Sequence, residues 1–344
     1  MTDAASTPQI VALGGGHGLY ATLTAMRYLS PALTAVVTVA DDGGSSGRLR
    51  GELDLIPPGD LRMALAALLV APAALADKEA DNARDAQLWG QLLQHRFGGH
   101  GALAGHPIGN LVLVGLAELL GDPIAALDRL GELLDVTGRV LPMSTVPLTI
   151  EADVTGLEAD PRLSRAILGQ VAVATTPGKV RRVRLLPGAP PASLDACTAI
   201  TNADLVVLGP GSWFSSVIPH VLVPDQLTAL TSTAARKMLI VNLAPEPGET
   251  PGFSVERHLH VLHAHADRLG IDDVIVDERS VPAGREREHL ARAAALFGAE
   301  LHVGELAVPG KHVHDPVRVA AVVAELVHLD PPPATAFPGH RHLP

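Results

Sequence analysis

The stretch Ile10-Val11-Ala12-Leu13-Gly14-Gly15-Gly16-His17-Gly18, followed by the helical pattern Tyr20 to Leu29, decides the fold. Four successive apolar residues read as a strand covered on both faces, the habit of parallel sheets flanked by helices. The glycines after it let the chain turn at positive φ and bring backbone N–H groups toward a ligand, and the start of the next helix favours an anion. Ser30-Pro31 ends that helix and Ala35 to Ala40 reads as a second strand, so the unit is strand, helix, parallel strand. The dinucleotide fingerprint G-x-G-x-x-G fails at its third glycine, where Leu19 stands, so the turn does not by itself specify NAD. A tight turn with no ligand is the alternative.

Working outward, apolar runs of strand length alternate with helical patterns over most of the chain. Leu61 to Val70 and Asn110 to Leu120 read as helices. Val146 to Thr155 and Gln170 to Leu186 are rich in Val, Thr and Ile around a Thr176-Pro177-Gly178 turn, which predicts a small antiparallel addition. The alternation then resumes, with helices at Leu194 to Asn202, Val255 to Leu269, Arg285 to Phe297 and Pro316 to Leu329. Strands are expected at Asp204 to Leu208, Met238 to Leu243, Asp273 to Val276 and Leu301 to Val303. The expected fold is α/β, a Rossmann-like three-layer α/β/α sandwich with a mostly parallel sheet and a small antiparallel β addition. One domain over residues 1–330 is expected, with a core at 8–140 and 192–328 and a β-rich insertion at about 141–190. Residues 331–344 form a Pro-rich tail expected to fray.

Of the 344 residues, 47% are hydrophobic but only 3% aromatic, so Ala, Val and Leu must fill the interior. A formal net charge of -11 argues against a phosphate-backbone footprint for nucleic acid. The single cysteine, Cys197, excludes an internal disulfide or a CxxC site and reads as a small hydrophobe on a helix. Met1 to Gln9 lacks a signal-peptide layout, and the longest apolar run, Met63 to Ala76, is broken by Pro72. A cytoplasmic protein with no membrane span is expected.

A second glycine-rich turn, Asp41-Asp42-Gly43-Gly44-Ser45-Ser46-Gly47-Arg48, follows the second strand. Turns at the carboxyl ends of parallel strands form the ligand crevice of such folds, so the two turns should be neighbours. Asp41 or Asp42 there can hold a ribose hydroxyl or Mg²⁺, or simply cap backbone amides; Arg48 can grip phosphate in a bidentate manner. Asp60, in Pro57-Pro58-Gly59-Asp60-Leu61-Arg62, is a helix cap, a metal ligand, or both. Two further junctions have the same form, Gly105-His106-Pro107-Ile108-Gly109-Asn110 and Gly209-Pro210-Gly211-Ser212-Trp213-Phe214, where Trp213 either stacks on a base or packs in the core. Together they predict one crevice for an extended, multiply charged ligand. Amides of Gly15, Gly16 and Gly211 would hold a pyrophosphate, while Arg48 and Arg62 offset its charge. The histidines His258, His260, His263 and His265 scatter around one helix, unlike a paired metal site. Lys179 to Arg184 reads as the solvated face of a strand.

Taken together, GGGHG at Gly14 to Gly18, VTVADDGGSSGRLR at Val37 to Arg50, PPGDLR at Pro57 to Arg62, GHPIGN at Gly105 to Asn110, ADLVVLGPGS at Ala203 to Ser212 and NLAPEPGET at Asn242 to Thr250 resemble the gluconeogenesis-factor family (YvcK, also called GlmR), relatives of the 2-phospho-L-lactate transferase CofD. The resemblance runs from Ile10 to about Val327. It implies binding of UDP-sugars such as UDP-N-acetylglucosamine and a role in cell-wall precursor supply, cell shape and gluconeogenic growth. A cell-wall enzyme, Ser/Thr kinases and a second copy of the chain are the partners it suggests. No cofactor is required on this reading. The transferase branch implies Mg²⁺ at Asp42 and Asp60, but GGSSGRLR and PPGDLR fit the regulatory branch better. NADP is a further candidate ligand. The resemblance also implies ligand contacts near His220, His289 and Val313, where relatives are expected to carry Asn, an aromatic residue and Arg.

Overall fold

The structure, a computed structural model, describes residues 7–69, 80–160, 162–246 and 248–333. The chain begins with β1 (Ile10–Gly14), every residue of which is buried, then α1 (Gly16–Met26) and β2 (Leu33–Val37). Four helices follow, α2 (Gly44–Leu53), α3 (Gly59–Leu69), α4 (Ala80–Gln94) and α5 (Ile108–Leu120). Next come α6 (Pro123–Leu133), capped by the Asp122 carboxylate with Pro123 in its first turn, and β3 (Arg139–Pro142).

A separate unit then intervenes, β4 (Thr149–Thr155), β5 (Ser164–Leu168), α7 (Gln170–Thr175) and β6 (Lys179–Leu186). The alternation resumes with α8 (Leu194–Thr201), β7 (Leu205–Leu208), a π-helical turn at Trp213–Val217, α9 (Pro219–Leu222), α10 (Pro224–Ser232) and β8 (Arg236–Ile240). It ends with α11 (Val255–His265), β9 (Asp273–Asp277), α12 (Arg285–Ala295), β10 (Glu300–Gly304) and α13 (Pro316–Val327).

Seven strands form one parallel sheet in the order β10-β9-β8-β7-β1-β2-β3. From β1 the chain winds outward to β2 and β3; from β7 it winds the opposite way to β10. The direction of winding therefore reverses between β1 and β7, where such sheets open a crevice at their carboxyl ends. Both strands consist of aliphatic residues at or below 3% exposure, apart from the terminal glycine of β1, because the sheet is covered on both faces.

The small sheet, ordered β5-β4-β6, is antiparallel. β4 alternates cleanly, with Ile150, Ala152 and Val154 inward and Glu151 and Asp153 outward. An irregularity between Asp153 and Val154 lets Val180 and Val183 of β6, three residues apart, both face inward. The basic residues Arg181, Arg182 and Arg184 of β6 lie outward, as expected, and Arg184 pairs with Glu151 and Asp153 at 2.7 and 2.9 Å. His265 of α11 ties this sheet to the main body: its Nδ1 donates to the Val261 carbonyl and its Nε2 accepts the Val183 N–H.

Several elements differ from expectation. Gly44 to Leu53 is a helix, because Ser45, Ser46 and Leu49 are drawn into the interior despite a composition typical of loops. Gln170 to Thr175 is a helix although its valines favour strands. Gly169, at φ +93°, turns the chain there, and the Asp42 carboxylate takes the N–H of Val171. The sequence pattern missed β3, β5, α4, α6 and α10, and α11 stops at His265, short of Leu269. Val70 to Ala76 of the apolar run and 334–344 of the tail lie outside the described residues. Among the described residues no helix is long and apolar enough to cross a membrane.

Asp277, buried at the end of β9, shows how the crevice end of the sheet is held. Its carboxylate accepts the N–H groups of Arg279, Leu306 and Ala307 at 2.8 to 3.0 Å. Asp277→Ala leaves two buried donors unpaired beyond β10. Chemical denaturation should show a loss of about 3 kcal/mol, the desolvation cost of those groups.

Candidate functional site

The turn after β1 is fastened from behind. The Gly14 carbonyl accepts the Thr38 N–H at 3.0 Å and the Nε2–H of His220 at 3.1 Å. Gln226 donates to His220 Nδ1, so this ring is a neutral donor toward the turn, and burial pushes its pKa down to about 4. Gly15 is confined by Thr38, Asp60 and Ser216; Gly16, at φ +54°, opens α1. Gly18 lies against Pro210, where a Cβ would overlap the Pro210 carbonyl oxygen. The turns after β1 and β7 are therefore in direct contact.

Beyond that contact, the turn after β7 is clamped by the segment after β8. Asn242 accepts the Gly211 N–H at 2.9 Å and donates to the Gly211 carbonyl at 2.8 Å. Ser212 Oγ donates to Glu246 at 2.9 Å, and buried Glu249 takes the Phe214 N–H and the Ser215 hydroxyl. Burial raises the Glu249 pKa, while those hydrogen bonds oppose the shift. Between the clamped turns and the chain after β10 opens a cavity of about 310 Å³, with His17, Gly18, Gly211, Asn242, Glu246 and His314 in its wall. Trp213 and Phe214 are fully buried, and Trp213 meets His258 edge-on at 4.9 Å, so Trp213 is core and offers no stacking face.

On the β2 side of the Gly14–Gly18 turn lie two carboxyl groups. Asp41 accepts the Gly43 N–H at 2.9 Å and the Ser46 hydroxyl. Its pKa is raised by burial, an effect those hydrogen bonds oppose and the charge of Asp42 reinforces. The Asp60 carboxyl is pushed up to about 7, chiefly by burial and next by the charge of Asp41. The Gly16 N–H and the Arg62 guanidinium act the other way. The expected metal pair of Asp42 and Asp60 does not stand together in this structure. Asp42 turns away, its Oδ1 accepting the Val171 N–H at 3.0 Å, and the acid beside Asp60 is Asp41.

Four of the other expected ligand residues form a buried scaffold. Ser45 Oγ meets His106 Nδ1 at 2.8 Å, Asn110 donates to Ser45 Oγ at 3.0 Å, and Arg62 donates to Asn110 at 2.9 Å and to Gln94. Burial, followed by the charge of Arg96, lowers the Arg62 pKa to about 10. Burial, then Arg48, lowers that of His106. All four residues are at most 6% exposed, so the network braces α2, α3 and α5 behind the crevice. The Arg48 guanidinium braces the Ala104 carbonyl at 2.7 Å. His220 is likewise a brace behind the turn. Val313 does border the cavity; His289 is exposed on α12.

With this geometry in view, residues 10–313 match the family described as 2-phospho-L-lactate transferase CofD. The chain belongs to that family. A Mycobacterium tuberculosis (strain H37Rv) protein provisionally named gluconeogenesis factor is 63% identical over 334 residues, which are 96% of this chain and 94% of that protein. The gluconeogenesis factor of Halalkalibacterium halodurans is 36% identical over 78% of this chain and 76% of its own length. A UPF0052-family crystal structure from Bacillus halodurans superposes with a TM-score of 0.79 at 31% identity, covering 93% of this chain and 99% of that one.

In this CofD-family chain the residues that sequence reading missed are Asn242, Glu246, Glu249 and His314. The first three stand in the stretch NLAPEPGET, where an Asn two residues past a buried strand was the available signal. The Asp60 shift has a pH signature. A carboxyl raised from 3.8 to about 7 holds its proton more tightly when folded, so its stabilising effect is full below about pH 4 and is lost as pH rises through 7. The Asp60 contribution should fall by up to about 4 kcal/mol across that window, against an opposite slope from His220 and His314, whose pKa values burial lowers to about 4. The stability difference between wild type and Asp60→Asn, in denaturation curves taken from about pH 4 to 8, should therefore shift against wild type as pH rises through 7.

Proposed function

We propose that the crevice binds a nucleoside-diphosphate sugar of the UDP-N-acetylglucosamine type and that the protein is a regulator responding to its supply. The apposition of the Gly14–Gly18 and Gly209–Ser212 turns over one cavity is the observation that carries this reading. Among the described residues no backbone carbonyl takes the N–H groups of His17 and Gly18 at the start of α1 or that of Ser212, which leaves three donors available to an anionic guest. The Gly16 N–H is committed to Asp60 and the Gly211 N–H to Asn242, so these two shape the turns. The choice of uridine and of an N-acetylhexosamine rests on the family resemblance. So does the role in cell-wall precursor supply and cell shape, with a cell-wall enzyme as the partner that reads occupancy in the cytoplasm. A role in gluconeogenic growth agrees with the names of the relatives.

A Mg²⁺ ion accompanying the diphosphate would fit Asp41 and Asp60, two hard oxygen donors beside the first turn of α1, and would supply positive charge. The same acid pair favours a second reading, a Mg²⁺-dependent transferase acting on a nucleotide-activated phospho-acid. Turnover of such a substrate that Asp60→Asn abolishes would establish it. Tight NADP binding in competition with UDP-sugar would instead mark a dinucleotide protein.

Calorimetry with UDP-N-acetylglucosamine tests the leading reading. Gly16→Asp is compatible with a left-handed φ and has no neighbour closer than Asp60 Oδ1 at 3.9 Å, yet it brings a carboxylate to the anion turn. It should weaken binding about tenfold or more, and the uncharged Gly16→Asn distinctly less. Absence of heat at millimolar ligand with wild-type protein would end the proposal.

A further inference from the structure

The small antiparallel sheet touches the segments that frame the crevice at two points, the turn after β2 and the chain after β8, and both contacts lie on α7. At its start, Gly169 turns the chain at φ +93° and the Val171 N–H donates to Asp42 Oδ1 at 3.0 Å. A Cβ on Gly169 would overlap Asp42 Oδ2, so both carboxylate oxygens of Asp42 are turned toward the 169–171 backbone. The Val171 side chain lies over Gly43, within 3.1 Å of where a Cβ would stand. At the other end, the Ala174 carbonyl packs on Gly248 so closely that no Cβ would fit there. Gly248 belongs to the segment whose Asn242, Glu246 and Glu249 clamp Gly211, Ser212, Phe214 and Ser215. One short helix is thus held by the turn after β2 and by the clamp on the turn after β7.

We infer that Asp42 couples occupancy of the crevice to α7. A hydroxyl or cation of the bound ligand that takes the Asp42 carboxylate must draw it off the Val171 N–H and so loosen α7 and the adjoining β5. The two uses compete because the side chain cannot face the crevice while both its oxygens contact residues 169–171. α7 has six residues and is capped from outside its own sequence, so its first turn depends on that one acceptor. β5 is an edge strand of its sheet, and Leu163, Leu168 and Val171 are 56%, 58% and 47% exposed, so loosening α7 changes a surface that carries these apolar side chains. The inference rests on the nucleotide-sugar reading of the crevice and adds the route by which binding leaves it.

Hydrogen exchange of the amides of residues 170–175, measured by mass spectrometry on the full chain, tests the coupling. Without ligand, Asp42→Ala should speed their exchange about tenfold through loss of the cap, whereas Asp42→Asn, which keeps an acceptor oxygen, should remain near wild type. With millimolar UDP-N-acetylglucosamine and Mg²⁺, wild-type exchange at the same amides should rise about threefold or more, and Asp42→Ala should show no further change. Equal exchange in Asp42→Ala and wild type would overturn the proposal. Heat of binding in calorimetry without a change at 170–175 would remove the coupling and leave the nucleotide-sugar reading intact; absence of heat would remove both.

Discussion

Everything about the crevice depends on a contact in which no side chain is tolerated, Gly18 against the carbonyl of Pro210. Hydrogen bonding in the sheet sets β1 beside both β2 and β7, and the reversal of winding leaves their carboxyl ends without a covering connection. Only with glycine at position 18 can the first turn of α1 settle against the turn after β7. The Gly14 carbonyl, held by Thr38 and His220, and the reciprocal pair of Asn242 with Gly211 keep each turn in place on its own strand. The geometry of the cavity therefore comes mainly from main-chain packing, with side chains acting as braces.

This arrangement suits the electrostatics of an acidic chain. With a net charge of -11, an anionic guest is not drawn by long-range attraction and must be met by local donors. Two arginines expected to offset the charge of the guest hold other partners, Arg62 with Asn110 and Gln94 and Arg48 with the Ala104 carbonyl. Unpaired N–H groups at a helix start meet an anion at short range and cost nothing in side-chain ordering. Asp41 and Asp60 sharpen the contrast, because two acids this close favour either a shared proton or a cation between them.

The turns were legible in the sequence because several glycines directly after an aliphatic strand serve a tight turn or a close backbone approach and little else, and the strand pattern placed them at one edge of the sheet. The small sheet was legible from its β-branched composition, and the exposed arginines of β6 from simple alternation. What could not be read were the partners of polar side chains. Arg48, Ser45, His106 and Asn110 sit in motifs that look like ligand loops, yet their atoms meet one another or nearby carbonyls. The α2 and α7 helices were illegible for a related reason. Their local composition disfavours helix, and contacts distant in the chain, such as Asp42 to Val171, decide otherwise. Asn242, Glu246 and Glu249 gave almost no signal, since a clamp on a turn more than 30 residues away has no local pattern.

The placement of the two tryptophans has a practical consequence for spectroscopy. Trp213 opens the π-helical turn directly after the clamped loop and has no solvent contact, whereas Trp89 on α4 is 46% exposed. Emission of the intact protein is therefore the sum of a shielded, blue component from beside the crevice and a red, collisionally quenchable one from the surface of α4. An added quencher such as acrylamide silences Trp89 first, and what survives is a native probe of the wall formed by β7.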